Sequence, residues 1–166
     1  MKTSAKIELN VRHLEKKPVR VEGVLPEEDA EIAGLDELVR PVSGIAYDLT
    51  ATRQGGEIHV EGGLGVELEC ECARCLKPFR LRIEIQPWDV LLPLEGEEQV
   101  SVVNDLVDLT PFVREDVVLS FPQHPLCDDG CRGMASPPQA RSDQEKGDRQ
   151  PSADGSAWAA LDNLKF

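Results

Sequence analysis

The residues of this chain best suited to chemistry are its thiols. Five cysteines occur in 166 residues, and four fall into two short pairs, Cys72-x2-Cys75 and Cys127-x3-Cys131. A two-residue spacer lets a tight knuckle present both sulfurs to one ion, and zinc prefers tetrahedral thiolate sets of this kind. The second pair, with an Asp-Asp-Gly spacer, is an acceptable but less usual ligand spacing. A four-thiolate zinc site would tie the turn that carries Cys72 and Cys75 to the segment that carries Cys127 and Cys131. Free thiols are the alternative that spacing alone leaves open. Cys70 alternates onto the same strand face as Leu68 and Cys72 and reads as a small buried hydrophobe. His124, within Pro122-Gln123-His124-Pro125, reads as a loop residue rather than a nitrogen ligand.

Thiol catalysis needs a base beside the nucleophile. His13, His59 and His124 are scattered, and no spacing assigns one of them to a cysteine. Glu67, Glu69 and Glu71 alternate along a strand and read as a solvated face rather than as a catalytic pair. No phosphate-binding glycine loop or dinucleotide fingerprint is present. The chain is not expected to be an enzyme, and no small-molecule substrate is implied.

The elements that position the thiols show a period of two. From Ile58 to Cys72 the even positions hold Ile58, Val60, Leu64, Val66, Leu68 and Cys70, while Glu57, His59, Glu61, Glu67, Glu69 and Glu71 occupy odd ones. That is a half-buried strand. Beyond Cys72-Ala73-Arg74-Cys75 the alternation restarts with Phe79, Leu81, Ile83 and Ile85, so the first cysteine pair sits at the tip of a hairpin. Placing Cys72 opposite Phe79 would set Glu71 against Arg80 and Glu69 against Arg82, an antiparallel register favoured by opposite charges.

A preceding strand carries Ile45, Tyr47, Leu49 and Ala51, with Gln54-Gly55-Gly56 as the connection. Three consecutive antiparallel strands are expected at about 43–53, 57–72 and 78–90. Gly62, Gly63 and Gly65 mark a bulge or bend in the central one. Ile7, Leu9 and Val11 give a short first strand, and Val19, Val21 and Leu25 continue after the Lys16-Lys17-Pro18 turn. A helical turn or two is expected between Pro26 and Pro41, where Glu27-Glu28-Asp29 precedes Leu35 to Val39. Asp108-Leu109-Thr110-Pro111 starts a helix, with Leu109, Phe112, Val113, Asp116, Val117 and Ser120 inward and an end at Phe121-Pro122.

These elements predict an α+β fold: an antiparallel sheet, a meander with partial barrel closure, with one packed helix and a short C-terminal helix. The domain spans 1–131. Residues 132–155, rich in Pro, Ser, Gln, Asp and Arg, form a linker that cannot offset its ordering entropy by burial. Residues 156–166 recover apolar spacing through Trp158, Leu161 and Leu164, an amphipathic helix too short to stand alone.

A formal net charge of −13 argues against a protein that coats nucleic acid, because such binders neutralise phosphates with clustered Lys and Arg. The basic stretch Arg12, His13, Lys16, Lys17 and Arg20 reads as a solvated turn. An odd number of clustered cysteines fits reduced thiols or metal ligands rather than a secreted disulfide framework. With no apolar run approaching a membrane span and no signal-peptide pattern at the start, a cytoplasmic protein is expected.

The block Cys72-Ala73-Arg74-Cys75-Leu76-Lys77-Pro78-Phe79, preceded by a glycine-containing alternating strand, resembles the C-x-R-C-L-x-P-F hairpin of the YceD family, the large ribosomal RNA subunit accumulation proteins. Asp108-Leu109 leading to Leu119-Ser120-Phe121-Pro122 and Pro125-Leu126-Cys127 is similar to the family's acidic helix and cysteine-bearing tail. Trp158 to Leu164 resembles its closing helix. Many members carry a further Cys-x2-Cys-Gly element where this chain has Met134-Ala135-Ser136-Pro137. That departure leaves Cys72, Cys75, Cys127 and Cys131 as the one sensible four-ligand set, and it also allows a metal-free form.

The resemblance implies a role in synthesis, processing or stability of large-subunit rRNA, in bacteria or plastids, and without a transit-peptide pattern in the sequence the bacterial cytoplasm is expected. The expected function is a non-enzymatic ribosome-biogenesis factor acting through a ribosomal protein or a large-subunit precursor. Direct rRNA contact would be confined to a small surface of Arg74, Lys77, Arg80 and Arg82, residues that also balance the facing glutamates. A thiol redox or metal-handling protein using Cys72 and Cys75 is the alternative, and a scaffold that delivers its C-terminal helix to another protein is a third. A reactive Cys-x2-Cys is typically found at a helix start, whereas this one sits at a strand turn.

Overall fold

A strongly alternating stretch flanked by apolar strands has one way to bury its even side, and a computed structural model shows it doing so. The model describes residues 5–134. In chain order the elements are β1 (Glu8–Asn10), α1 (Val11–Leu14), β2 (Val19–Leu25), β3 (Val39–Pro41), β4 (Ile45–Gln54), β5 (Glu57–Glu71), β6 (Pro78–Pro93), β7 (Val102–Val103), β8 (Leu106–Asp108) and α2 (Thr110–Leu119). The fold is α+β, dominated by antiparallel sheet. No helix among the described residues is long and apolar enough to cross a membrane.

The main sheet is organised around β5. On one side β5 pairs with β4 over Glu57–Gly65 and with β3 over Leu68–Cys70, and on the other it pairs along nearly its whole length with β6; β2 pairs with the far side of β4. Every even β5 residue from Ile58 to Cys70 except the glycine at 62 is buried, and these side chains meet Leu49, Ala51 and Ile45 of β4 in one core. A second, three-stranded sheet of β1, β8 and β7 adds Leu9 and Val107 to that core.

Gly62 explains where the sheet bends. A Cβ at this position would collide with the Asp48 carbonyl oxygen on β4, so only glycine allows the two strands to approach so closely. The β5–β6 register shifts at Gly62/Leu64. This bulge changes which β6 residues face inward. Phe79, Leu81, Ile83 and Ile85 face in before it, and Trp88 and Leu92 face in after it.

Helix α2 buries Val113 and Val117, and Leu109 just before it is buried too. Its start is fixed by three bonds. The Ile7 amide donates to Thr110 Oγ1 at 2.9 Å, the Leu109 amide donates to the Ile7 carbonyl at 2.8 Å, and the Thr110 amide donates to Asp108 Oδ1 at 2.9 Å. Its middle is fixed by the indole of Trp88, which donates to Asp116 Oδ2 at 2.6 Å. Asp116 therefore faces inward as the sequence spacing suggests, whereas Ser120, expected on the same side, is exposed.

Three sequence expectations are corrected, and one hairpin is new. The hairpin register is displaced by two residues: Cys70, not Cys72, lies opposite Phe79, so Glu69 faces Arg80 and Glu67 faces Arg82. The displacement follows from the tip, where the Cys72 amide bonds Lys77 and Cys72–Lys77 form a six-residue knuckle; a shift of two preserves every side chain's face. The helical turn expected between Pro26 and Pro41 is confined to Pro26–Ala30, where the Ala30 amide bonds the Pro26 carbonyl; residues 31–38 form bends and turns, and Val39–Pro41 adds a strand to β5. Val11 starts a four-residue helix capped by Asn10 instead of extending β1. The β7–β8 hairpin was not anticipated; its turn residues Asn104 and Asp105 both adopt positive φ. The segment 156–166 and nearly all of 132–155 lie outside the described residues.

Candidate metal centre

The tip of the β5–β6 hairpin turns back on itself. The Leu76 amide donates to the Cys72 carbonyl at 2.9 Å, and the Cys72 amide donates to the Lys77 carbonyl at 3.0 Å. Leu76 takes a left-handed backbone, φ 59°, which lets the chain leave the turn just after Cys75. Cys72 and Cys75 thereby face the same side of one tight loop.

The second pair arrives from the segment after α2. The Ala73 amide donates to the Pro125 carbonyl at 2.8 Å, docking this segment against the knuckle just before Cys127. Asp128 then folds the spacer. Its side chain accepts from the Gly130 amide at 2.7 Å and its carbonyl accepts from the Cys131 amide at 3.0 Å. The guanidinium of Arg74 donates to the Cys131 carbonyl at 3.0 Å, closing the loop from the other side.

The sulfurs of Cys72, Cys75, Cys127 and Cys131 all lie within 4.8 Å of one another. Cys72 and Cys131 are 3.8 Å apart and Cys75 and Cys127 are 3.6 Å apart. These separations exceed a disulfide bond, about 2.05 Å. They match the edge of a tetrahedron of zinc–sulfur bonds of about 2.3 Å, which places its sulfurs about 3.8 Å apart. The donor set therefore fits a four-coordinate thiolate ion.

The sulfurs of the cluster differ in how readily they ionise. Backbone amides of Cys127 and Cys75, and more weakly of Arg74, are directed at the Cys72 sulfur and lower its pKa, against its burial, to about 6. Cys127 hydrogen-bonds the Cys75 and Cys72 sulfurs and also meets Cys131, and its pKa is pushed up to about 12. Four thiolates in so small a volume repel one another, and a divalent cation is what would allow them to coexist. The arrangement can hold such an ion and thereby cross-link the hairpin tip to the segment after α2.

Other candidate residues separate cleanly. Cys70 is buried in the apolar core, and burial together with the charge of Asp36 raises its thiol pKa. His124 is exposed and is absent from the cluster. Lys77, Arg80 and Arg82 are exposed along the tip and the start of β6, with Arg82 bonded to Glu84 at 2.8 Å. In the basic stretch near the start, Arg20 makes a two-point contact with Asp48 at 2.6 and 2.7 Å, and Arg12 pairs with Asp105 at 2.9 Å. Those two arginines are engaged by acids of the chain itself. What the sequence did not reveal is the support around the sulfurs, above all Pro125, Asp128 and Arg74, because backbone docking leaves no periodic signature.

The family model for "Large ribosomal RNA subunit accumulation protein YceD" matches residues 60–165, more than half of the chain and all four clustered cysteines. The chain belongs to the YceD family. As a YceD protein it is also similar, at 27% identity over 122 residues, to uncharacterized proteins of Mycobacterium bovis and of two strains of Mycobacterium tuberculosis. The match covers 69% of this chain and 58% of each relative, so the chain spans little more than half the length of the mycobacterial proteins it matches. No solved structure matches the chain.

Proposed function

We propose that this YceD protein is a non-enzymatic factor that supports the accumulation of large-subunit ribosomal RNA by engaging a ribosomal protein or a large-subunit precursor. Zinc bound by Cys72, Cys75, Cys127 and Cys131 fixes the shape of the surface that does so. Family membership supports the first statement, and one observation carries the second: four sulfurs from two distant segments converge at tetrahedral spacing on the tip of the longest hairpin.

The tip offers a compact contact surface. Leu76 is half exposed, Lys77 is exposed beside it, and Arg74 is exposed while anchored on Cys131. Arg80 and Arg82 continue the basic row on β6, but each faces a glutamate across the hairpin, Glu69 and Glu67. With a net charge of −13, the chain favours a basic protein over naked rRNA as its direct partner, and Arg74 and Lys77 are the residues left to touch RNA.

A thiol redox reading would rest on Cys72, whose thiolate is the most favoured. Cys72 is fully buried, so it cannot attack a substrate disulfide without opening the knuckle. The structural role is the better account.

Co-sedimentation tests the proposal. The tagged chain is expected to travel with large-subunit precursors on a gradient of cell extract, and Cys127→Ser is expected to weaken that association. A chain that stays at the top of the gradient, free of large-subunit proteins and rRNA, would overturn the assignment.

A further inference from the structure

Strand β6 is an edge. Among the described residues it pairs with β5 alone, although its first half carries four large apolar side chains on the core face. Phe79, Leu81, Ile83 and Ile85 are half-buried, in contrast to their cross-strand neighbours Cys70, Leu68, Val66 and Leu64, which are buried. An open edge with an incompletely covered apolar row is a template for another strand.

The backbone pattern of the sheet shows which β6 groups are free. Glu71 donates its amide to Leu38 and Glu67 accepts from Val42, so the odd residues of β5 direct their backbone groups toward the β3 side. The even residues, Val66, Leu68 and Cys70, therefore bond β6 through Ile83, Leu81 and Phe79. Arg80, Arg82 and Glu84 are left with N–H and C=O groups pointing away from the sheet.

Those free groups sit in a self-complementary charge sequence, Arg82-Ile83-Glu84. In a two-fold dimer equivalent strands run antiparallel and the same surface meets itself. Placing the two-fold axis at Ile83 pairs the free backbone groups of Arg82 with those of Glu84 from the second copy, and vice versa. It also sets each guanidinium opposite a carboxylate on the outer face. On the inner face Ile83 meets its equivalent and Leu81 meets Ile85, in positions where side chains approach most closely. A slip of two residues toward the C-terminus puts Glu84 opposite Glu84, whereas a slip of two the other way puts Arg82 opposite Arg82 but Arg80 opposite Glu84. Within one chain Arg82 and Glu84 already approach to 2.8 Å, so both side chains lie on the face where the intermolecular pairs would form.

We propose that β6 pairs with β6 of a second copy of this chain, antiparallel about Ile83, joining the two main sheets into one continuous sheet. The charges favour alignments that set Glu84 against an arginine and repel the one that sets Glu84 against Glu84, and an edge covered in this way is closed to further strands.

Sedimentation equilibrium of the purified full-length chain over a dilution series tests this, with far-UV circular dichroism confirming that each variant is folded. The wild type is expected to approach twice the chain mass at the concentrated end. Arg82→Glu and Glu84→Arg each place two like-charge pairs in the interface, and each is expected to weaken dimerisation by about tenfold or more. Mixing the two variants sets acids at both 82 and 84 of one copy against bases at both positions of the other, and a heterodimer is expected to form at concentrations where neither variant dimerises alone. A wild type that remains monomeric throughout, a dimer indifferent to both substitutions, or a mixture that fails to associate would each overturn the proposal.

Discussion

The sulfurs of Cys72 and Cys131 lie 3.8 Å apart although 59 positions of sequence separate them. Nothing local brings them together. The contact depends on the docking of Ala73 on Pro125 and on the anchoring of the Cys131 carbonyl by Arg74. Arg74→Ala should therefore loosen the 125–134 segment while leaving the sheet intact. Hydrogen exchange is expected to accelerate at the Cys131 and Ala73 amides and to remain slow at Leu49 and Leu68.

Trp88 and Asp116 make the tie between the main sheet and α2. The indole is buried and its N–H has Asp116 as its acceptor at 2.6 Å. Asp116→Ala would leave a buried donor unsatisfied, at a cost of about 1–3 kcal/mol. Urea unfolding should show a lower midpoint with an unchanged slope, since the surface exposed on unfolding stays the same.

Gly62 and Gly55 should respond differently to the same change. At Gly62 an added Cβ meets the Asp48 carbonyl of the neighbouring strand, whereas at Gly55, φ 64°, it meets open space. Gly62→Ala must push β4 from β5 or distort both, an overpacking cost of about 1–3 kcal/mol or more. Gly55→Ala bears only the left-handed backbone penalty, about 1–2 kcal/mol. Chemical denaturation of the two variants should rank Gly62→Ala as the more damaging.

Asp108 makes stability depend on pH. Burial alone would raise its pKa, but bonds from the Thr110 hydroxyl and amide and the Lys6 ammonium at 3.0 Å outweigh burial and hold it below the usual carboxylate value. A carboxyl depressed in the folded state contributes stability above its unfolded pKa, about 3.9, and loses that contribution as pH falls through the folded value. Asp108→Asn keeps an acceptor for the Thr110 amide but loses the charge that pairs with Lys6, and should therefore melt below the wild type at neutral pH. The gap between the two melting temperatures should close in strongly acidic solution.

The parts of the fold that were legible in the sequence are those with a period. Ile58 to Cys70 and Phe79 to Ile85 announce their strands because alternate residues must choose between core and solvent, and Leu109, Val113 and Val117 announce α2 for the same reason. The three-residue strands β3 and β8 are too short to show a period, and Val39 entered its sheet because β5 extends beyond the end of β4 and offers a free edge there. The hairpin register was misplaced because charge pairing alone cannot distinguish a shift of two, with Glu67, Glu69 and Glu71 facing Arg80 and Arg82. The length of the knuckle decided it. Spacing identified the four clustered cysteines, but their convergence depends on tertiary docking that no spacing encodes.

The most direct test of the metal-locked tip is the zinc content of the protein purified without chelator and dialysed against metal-free buffer. Elemental analysis should find about one zinc per chain in the wild type, the stoichiometry of a four-thiolate site, and much less in Cys127→Ser, with Cys70→Ser retaining the wild-type amount. A wild-type protein that carries no zinc and takes up none when it is supplied, or a Cys127→Ser variant that retains it fully, would contradict the account.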